Sequence, residues 1–208
     1  MVRGIFTRLW FLLLIVGSVG TMPAYAQDAT APTAVIERFH AALIDGMKRG
    51  KALGFEGRRA MLDPVVKQTF DTDSMARIST GAAWQKMSDA DHAAIIAAFT
   101  DWTVASYAGN FSSYDGETFV TKDQSTEDSK GNVLVNTRLT PKGIPPVLFN
   151  YRMHKVGADW KVYDIYLDGA VSQLAMHRAE FATVLGLGKP ADLIAHMKKL
   201  TKDAEKGS

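Results

Sequence analysis

The sequence predicts an α+β fold: helices first, then an antiparallel sheet, then helices again. Three observations predict it. Apolar residues recur at three- and four-residue spacing through the first half of the chain. From Glu117 onward the period falls to two. Beyond Leu167 the helical spacing returns, while Gly157-Ala158 separates two alternating runs as a hairpin turn would.

Val35, Ile36, Phe39, Leu43 and Met47 form the first helical stripe, and Gly50, Gly54 and Gly57 are expected to break it. Asp63-Pro64 reads as an N-cap followed by proline at the first helical position. Asp71 looks like the cap of another short helix through Ile78, ended by Gly81. The longest helix is expected from about Asp89 to Gly109, with Ser88 and Asp91 three apart as in a capping box. Along it, Ile95, Phe99 and Trp102 continue into Ser106 and Asn110 on one line. Strands follow at Glu117–Lys122, Asn132–Thr140, Val147–Val156 and Asp159–Leu167. Two last helices, Ser172–Leu185 and Pro190–Lys202, are joined at Gly186-Leu187-Gly188, with the lysine-rich tail expected to fray. The helices thus occupy 33–110 and 172–202 and the strands 117–167 of one domain, 27–208.

The first 26 residues are read separately. Arg3 and Arg8 precede an apolar run from Leu9 to Gly20, and Ala24-Tyr25-Ala26 gives a small-x-small cleavage site. The run is well short of the roughly 20 residues of a spanning helix. A signal peptide over 1–26 is expected, placing the remainder in the periplasm. Its two arginines leave with it, so the formal +2 of 208 residues becomes a balanced charge. Nucleic acid is excluded as a partner, since phosphate binding requires a basic surplus. The absence of cysteine excludes disulfides, thiolate metal sites, a cysteine nucleophile and a lipid anchor on cysteine.

A two-residue turn at Gly157-Ala158 pairs Phe149 with Tyr166, Tyr151 with Asp164, Met153 with Val162, and Lys155 with Trp160. One sheet face then carries Val147, Phe149, Tyr151, Met153, Trp160, Val162 and Tyr166 with a single carboxylate, Asp164. On that pairing Asp164 accepts a hydrogen bond from Tyr151, because an unpaired buried carboxylate is costly. The face serves equally as packed core or as the wall of an apolar cavity, since both use the same side chains.

Catalytic and metal signatures fail. Glu37-x-x-His40 and His177-x-x-Glu180 have carboxylate–histidine spacing, but a di-metal bundle needs matched copies and further carboxylates, so both are read as solvated helix surface. Gly186-x-Gly188-x-x-Ala191 follows a helix rather than a strand and is read as a C-cap and turn. No nucleophile elbow or phosphate loop occurs. No catalytic residue, metal or cofactor is expected.

Phe70-Asp71, Met75-Ala76-Arg77, Gly81, Trp84 and Phe99 to Tyr107-Ala108 stand in a telling order, followed by Trp160-Lys161-Val162-Tyr163-Asp164, Asp168-Gly169, Ser172, Arg178, Phe181 and Leu193. This order resembles the toluene-tolerance (MlaC) family of periplasmic lipid carriers, over roughly Thr33 to Leu200. The stretch from Asp168 to Ala175, with Arg178 and Phe181, is most similar to the hopanoid-associated HpnM branch. The resemblance implies an NTF2-like curved sheet of about four strands packed with helices around an apolar pocket for acyl chains. It also implies a shuttle for phospholipid or hopanoid, the substrate-binding component of an ABC/MCE-type system. Its partners would be an inner-membrane MCE/ABC complex and an outer-membrane lipoprotein complex. Shielding a dozen methylenes is worth on the order of 10 kcal/mol and needs no covalent chemistry.

The expected lipid-binding residues are Phe149, Tyr151, Met153, Val162 and Tyr166 from the sheet, with Phe99 and Trp102 from the long helix. A single-domain shuttle is expected to be a monomer. Two rival readings are an NTF2-like isomerase or dehydratase using Asp164 and Tyr151, and a periplasmic adaptor that carries no lipid. At Asp168 or Ser172, helix capping is the expectation rather than headgroup contact.

Overall fold

Among the described residues, the chain folds as four helices, a five-stranded antiparallel meander and two closing helices. The computed structural model describes residues 30–126 and 129–207; the expected signal peptide, 1–26, lies outside the described residues. Helix α1, Pro32–Lys48, buries the predicted stripe, with Ile36, Phe39 and Leu43 wholly enclosed. The glycine-rich stretch that follows breaks the helix as expected at Arg49–Gly50 and kinks it again at Gly54, whereas Gly57 stays helical. Helix α2 runs from Gly50 to Thr69 with only Gly54 outside helical geometry, at φ 61°. Pro64 sits inside this helix rather than opening a new one, leaving one carbonyl of the preceding turn without its helical donor.

Two contacts hold α2 in place despite its poor local propensity. The buried Arg58 donates from Nε to the Ala108 carbonyl at 2.8 Å and from Nη1 to the Gly50 carbonyl at 3.0 Å. At Gly50 itself a Cβ would stand 2.0 Å from the Ser112 carbonyl oxygen, so only glycine admits this approach.

Helix α3, Thr72–Thr80, is capped by Asp71, which accepts from the Ser74 amide at 3.0 Å, and stops at Gly81 with φ 65°. A 3₁₀ turn over Gly81–Lys86 leads to α4, Asp89–Asn110. The capping box is complete: Ser88 Oγ accepts from the Asp91 amide, and Asp91 accepts from the Ser88 amide.

The strands are β1 Thr118–Thr126, β2 Val133–Thr140, β3 Val147–Val156, β4 Asp159–Leu167 and the two-residue β5 Val171–Ser172. They pair in sequence order. Helix α5, Gln173–Leu187, begins at Ser172, whose Oγ accepts from the Ala175 amide at 2.9 Å. Helix α6, Pro190–Lys206, stays helical four residues beyond its expected end.

The β3–β4 hairpin turns at Gly157-Ala158 as expected, pairing Lys155 with Trp160 and Met153 with Val162. One residue further on, the register slips. Arg152 faces Asp164, Tyr151 faces Ile165, Asn150 faces Tyr166 and Phe149 faces Leu167. Tyr163 is the extra residue of a β-bulge, and beyond it every β4 side chain exchanges faces. The apolar face therefore carries Phe149, Tyr151, Met153, Val162, Ile165 and Leu167, while Asp164 and Tyr166 lie on the other side.

The core fills the space between this face and the helices. Phe39, Leu62, Val66, Ile95 and Phe99 meet Val135, Tyr151, Met153 and Val162, and Phe181, Leu193 and Met197 close it from α5 and α6. Helix α4 packs along α6 and α2. A Cβ on Gly109 of α4 would lie 2.6 Å from the Ala204 carbonyl oxygen, so the two helices touch backbone to backbone there. Among the described residues, no helix is long and apolar enough to cross a membrane.

Candidate lipid-binding cavity

A cavity of about 430 Å³ opens between α4, the ends of β3 and β4, and the start of α5. That volume lies within the roughly 300–1,000 Å³ usual for small-ligand pockets. Phe70 from the end of α2 and Met75 from α3 contribute to its wall, with Phe99 and Trp102 from α4 and Phe111 just beyond it. Phe149, Ile165 and Leu167 supply the sheet side. Rings crowd the helical side of the cavity: Phe99 meets Trp102 edge-on at 5.6 Å within α4, and Trp102 meets His177 of α5 edge-on at 4.7 Å.

The expected lining residues divide three ways. Phe99, Trp102 and Phe149 line the cavity. Tyr151, Met153 and Val162 face the helices from the same sheet face but lie wholly buried in the core, where other side chains fill the space. Tyr166 leaves that face altogether because of the bulge at Tyr163, and its hydroxyl accepts from Arg152 Nη1 at 3.4 Å. Ile165 and Leu167 take the wall positions in its stead.

The same slip removes the expected Asp164–Tyr151 pair. Asp164 is buried and accepts from the Ser172 hydroxyl at 2.8 Å and the Leu174 amide at 3.1 Å, with Arg152 Nη1 at 3.9 Å. It ties β4 to the first turn of α5. The Tyr151 hydroxyl instead meets His40 Nε2 at 3.0 Å. An isomerase or dehydratase using Asp164 and Tyr151 together has no such pair to work with.

Two histidines read as solvated surface are not. His40 is buried in α1, stacked on Phe119 with ring centroids 3.9 Å apart, and burial lowers its pKa to about 3. His177 forms part of the cavity wall; burial lowers its pKa, against the opposing pull of Glu180 at 3.8 Å. Both are neutral at physiological pH. Burial also raises the Tyr107 and Tyr151 hydroxyls above their ordinary range, so both phenols stay protonated.

Sequence reasoning missed Thr103, Ser106, Tyr107, Asn110, Gln173 and His177 as lining residues of the cavity. A signal was present. Thr103, Ser106, Tyr107 and Asn110 recur at helical spacing directly after Phe99 and Trp102, so they continue the inward face of α4. Among the described residues, no group of histidines and carboxylates is arranged to hold a metal ion.

The α+β shell thus holds a largely apolar cavity between its long helix and its sheet, lined by rings and by uncharged polar side chains. The chain belongs to the MlaC protein family, whose family model matches residues 37–199. Among solved structures, the chain is similar to a phospholipid-binding protein from Ralstonia solanacearum, determined in complex with a phospholipid. The two share 20% identity at a TM-score of 0.72, over 86% of this chain and 99% of that one. The common fold is the α+β arrangement expected from the sequence. No curated protein matches the chain at significant similarity.

Proposed function

We propose that the protein is a periplasmic lipid carrier that encloses the acyl or other apolar body of a phospholipid or hopanoid. In this reading it acts as the substrate-binding component of an ABC/MCE-type transport system, passing lipid between an outer-membrane complex and an inner-membrane transporter. It works as a monomer and binds its cargo without transforming it. The observation that carries the reading is the cavity of about 430 Å³ walled by Phe70, Phe99, Trp102, Phe149, Ile165 and Leu167. Membership of the MlaC family supports it, as does the phospholipid bound by the Ralstonia solanacearum protein of the same fold. Export is supported by the basic, apolar and small-x-small order of the first 26 residues.

The energetics agree. Each methylene taken out of water contributes about 0.8 kcal/mol, so burial against an apolar wall retains a lipid chain without a single charged contact. The test is native mass spectrometry of protein purified from the periplasm, with extraction and lipid analysis. About one lipid per chain is expected, and Phe149→Glu, which sets a carboxylate in the wall, should lose it while retaining its circular dichroism spectrum. A bare protein mass that vesicle incubation leaves unchanged would sink the carrier reading.

A further inference from the structure

Of the chain's five histidines, His177 is the one that lines the cavity. It stands one turn into α5, edge-on to Trp102 at 4.7 Å and stacked along Phe181 at 6.1 Å. Its Nδ1 lies 3.8 Å from one oxygen of Glu180. The other oxygen of Glu180 holds His196 Nε2 of α6 at 2.6 Å. A titratable ring is thus set between an apolar binding space and a carboxylate.

Two influences act on that ring in opposite senses. Burial among the aromatic side chains lowers its pKa, while Glu180 and, from β4, Asp164 draw it upward. Arg152 of β3, 3.9 Å from Asp164, offsets part of that carboxylate's pull. Helix α4 faces the ring with Phe99 and Trp102. Met75 of α3 reaches the same cavity, whereas Asp73 and Arg77 of α3 and Arg178 of α5 are exposed. Tyr107 shares the cavity wall as a phenol that burial keeps protonated.

An empty cavity and a filled one treat the imidazole differently. Water entering the empty cavity solvates the protonated ring. An acyl chain lying against it displaces that water and offers no hydrogen bond, so the charged form becomes costlier. Glu180 and Asp164 belong to the fold in both states, which leaves the difference to the cargo.

We propose that lipid loading is coupled to a proton at His177: cargo enters against the neutral imidazole, and protonation of the empty site weakens its hold. The coupling rests on the carrier reading above. It is reciprocal, so the factor that protonation takes from lipid affinity is the factor that loading takes from proton affinity. Affinity is full above the titration range of the empty protein and falls as pH descends through it. Neutral pH favours capture and mild acid favours release. His40 has no part in this, since it stacks on Phe119 at 3.9 Å and meets Tyr151, neither of which lines the cavity.

The experiment equilibrates delipidated protein with dioleoylphosphatidylcholine vesicles, whose headgroup does not titrate between pH 5 and 7.5, and measures bound lipid against vesicle concentration. Half-saturation should need about threefold more lipid at pH 5 than at pH 7.5. NMR titration of the His177 ring in the unaltered protein should show a lower midpoint with lipid than without. A threefold loss at full protonation corresponds to about half a unit. His177→Gln should bind with one affinity at both pH values, and His40→Gln should keep the difference. Glu180→Gln removes a carboxylate that favours the imidazolium and should move the fall in affinity to lower pH. Equal affinity at both pH values, a midpoint that lipid leaves unmoved, or a pH dependence that survives His177→Gln overturns the coupling and leaves the carrier reading standing. Binding at neither pH overturns the carrier reading itself.

Discussion

His40 is the residue whose burial has the largest consequence outside the cavity. It titrates near 6.5 in the unfolded chain and near 3 in the folded one. The unfolded state therefore binds the extra proton between these values, and stability is complete above pH 6.5 and drains away as pH falls towards 3. Between pH 7.5 and 5 the loss from this residue should be about 2 kcal/mol. Urea unfolding at the two pH values should show it, and His40→Gln, which keeps a hydrogen-bonding amide for Tyr151, should flatten the difference. An unchanged pH dependence in that variant would mean that His40 is not held neutral by burial. Asp164 makes a second prediction at this scale. Its oxygens accept from Ser172 and from the Leu174 amide at the start of α5, so Asp164→Ala strands those donors and should destabilise the fold by about 2–3 kcal/mol. A melt within experimental error of the parent would show the α5 junction to be held by other contacts.

At the scale of the element, backbone contacts decide what side-chain patterns do not. Gly109→Ala pushes a methyl into the Ala204 carbonyl, which a Cβ would reach at 2.6 Å, and should cost about 1–3 kcal/mol through separation of α4 from α6. Chemical denaturation measures that loss, and a neutral result would mean that α6 slides without penalty. The same distinction explains what was legible in the sequence. Ser88 and Asp91 announced α4, Asp71 and Gly81 bounded α3, and Gly157-Ala158 located the hairpin, because caps and turns are written in a few adjacent residues. Helix α2 was legible only from Pro64 onward: before it the glycines argue locally against a helix, and the Arg58 anchor to Ala108 spans fifty residues of sequence. The bulge at Tyr163 was equally hidden, since one inserted residue leaves composition and alternation nearly unchanged. Its trace was the lone Asp164 on an otherwise apolar face, a conflict the slip resolves by moving the carboxylate to the side where Ser172 and Leu174 meet it. Of the expected wall, Phe99, Trp102 and Phe149 reach the cavity. Tyr166 does not, because it follows the bulge.

For the whole molecule, a cavity between α4 and the sheet is a concession of stability to binding. An interior packed throughout at crystal-like density would bury the same rings against one another and gain their dispersion contacts. Here Trp102, Phe149 and Leu167 stay half-buried at the cavity wall instead. Two opposite effects follow from one cause. Cargo that fills the space binds only the folded state, so loading must raise the unfolding midpoint by an amount that grows with lipid concentration. A side chain that fills the space permanently must raise the midpoint of the empty protein and exclude the cargo. Ser106→Phe places a ring among the aromatic walls at a half-buried position. It should stabilise the delipidated protein by about 1 kcal/mol through newly buried apolar area and reduce lipid recovered per chain by most of its value. Differential scanning calorimetry of delipidated and vesicle-treated samples, parent beside variant, separates the alternatives. The parent should gain stability with vesicles, and the variant should start higher and gain nothing. A variant that starts lower yet loads fully would mean that the space closes by rearranging α4 and α5 rather than by standing open.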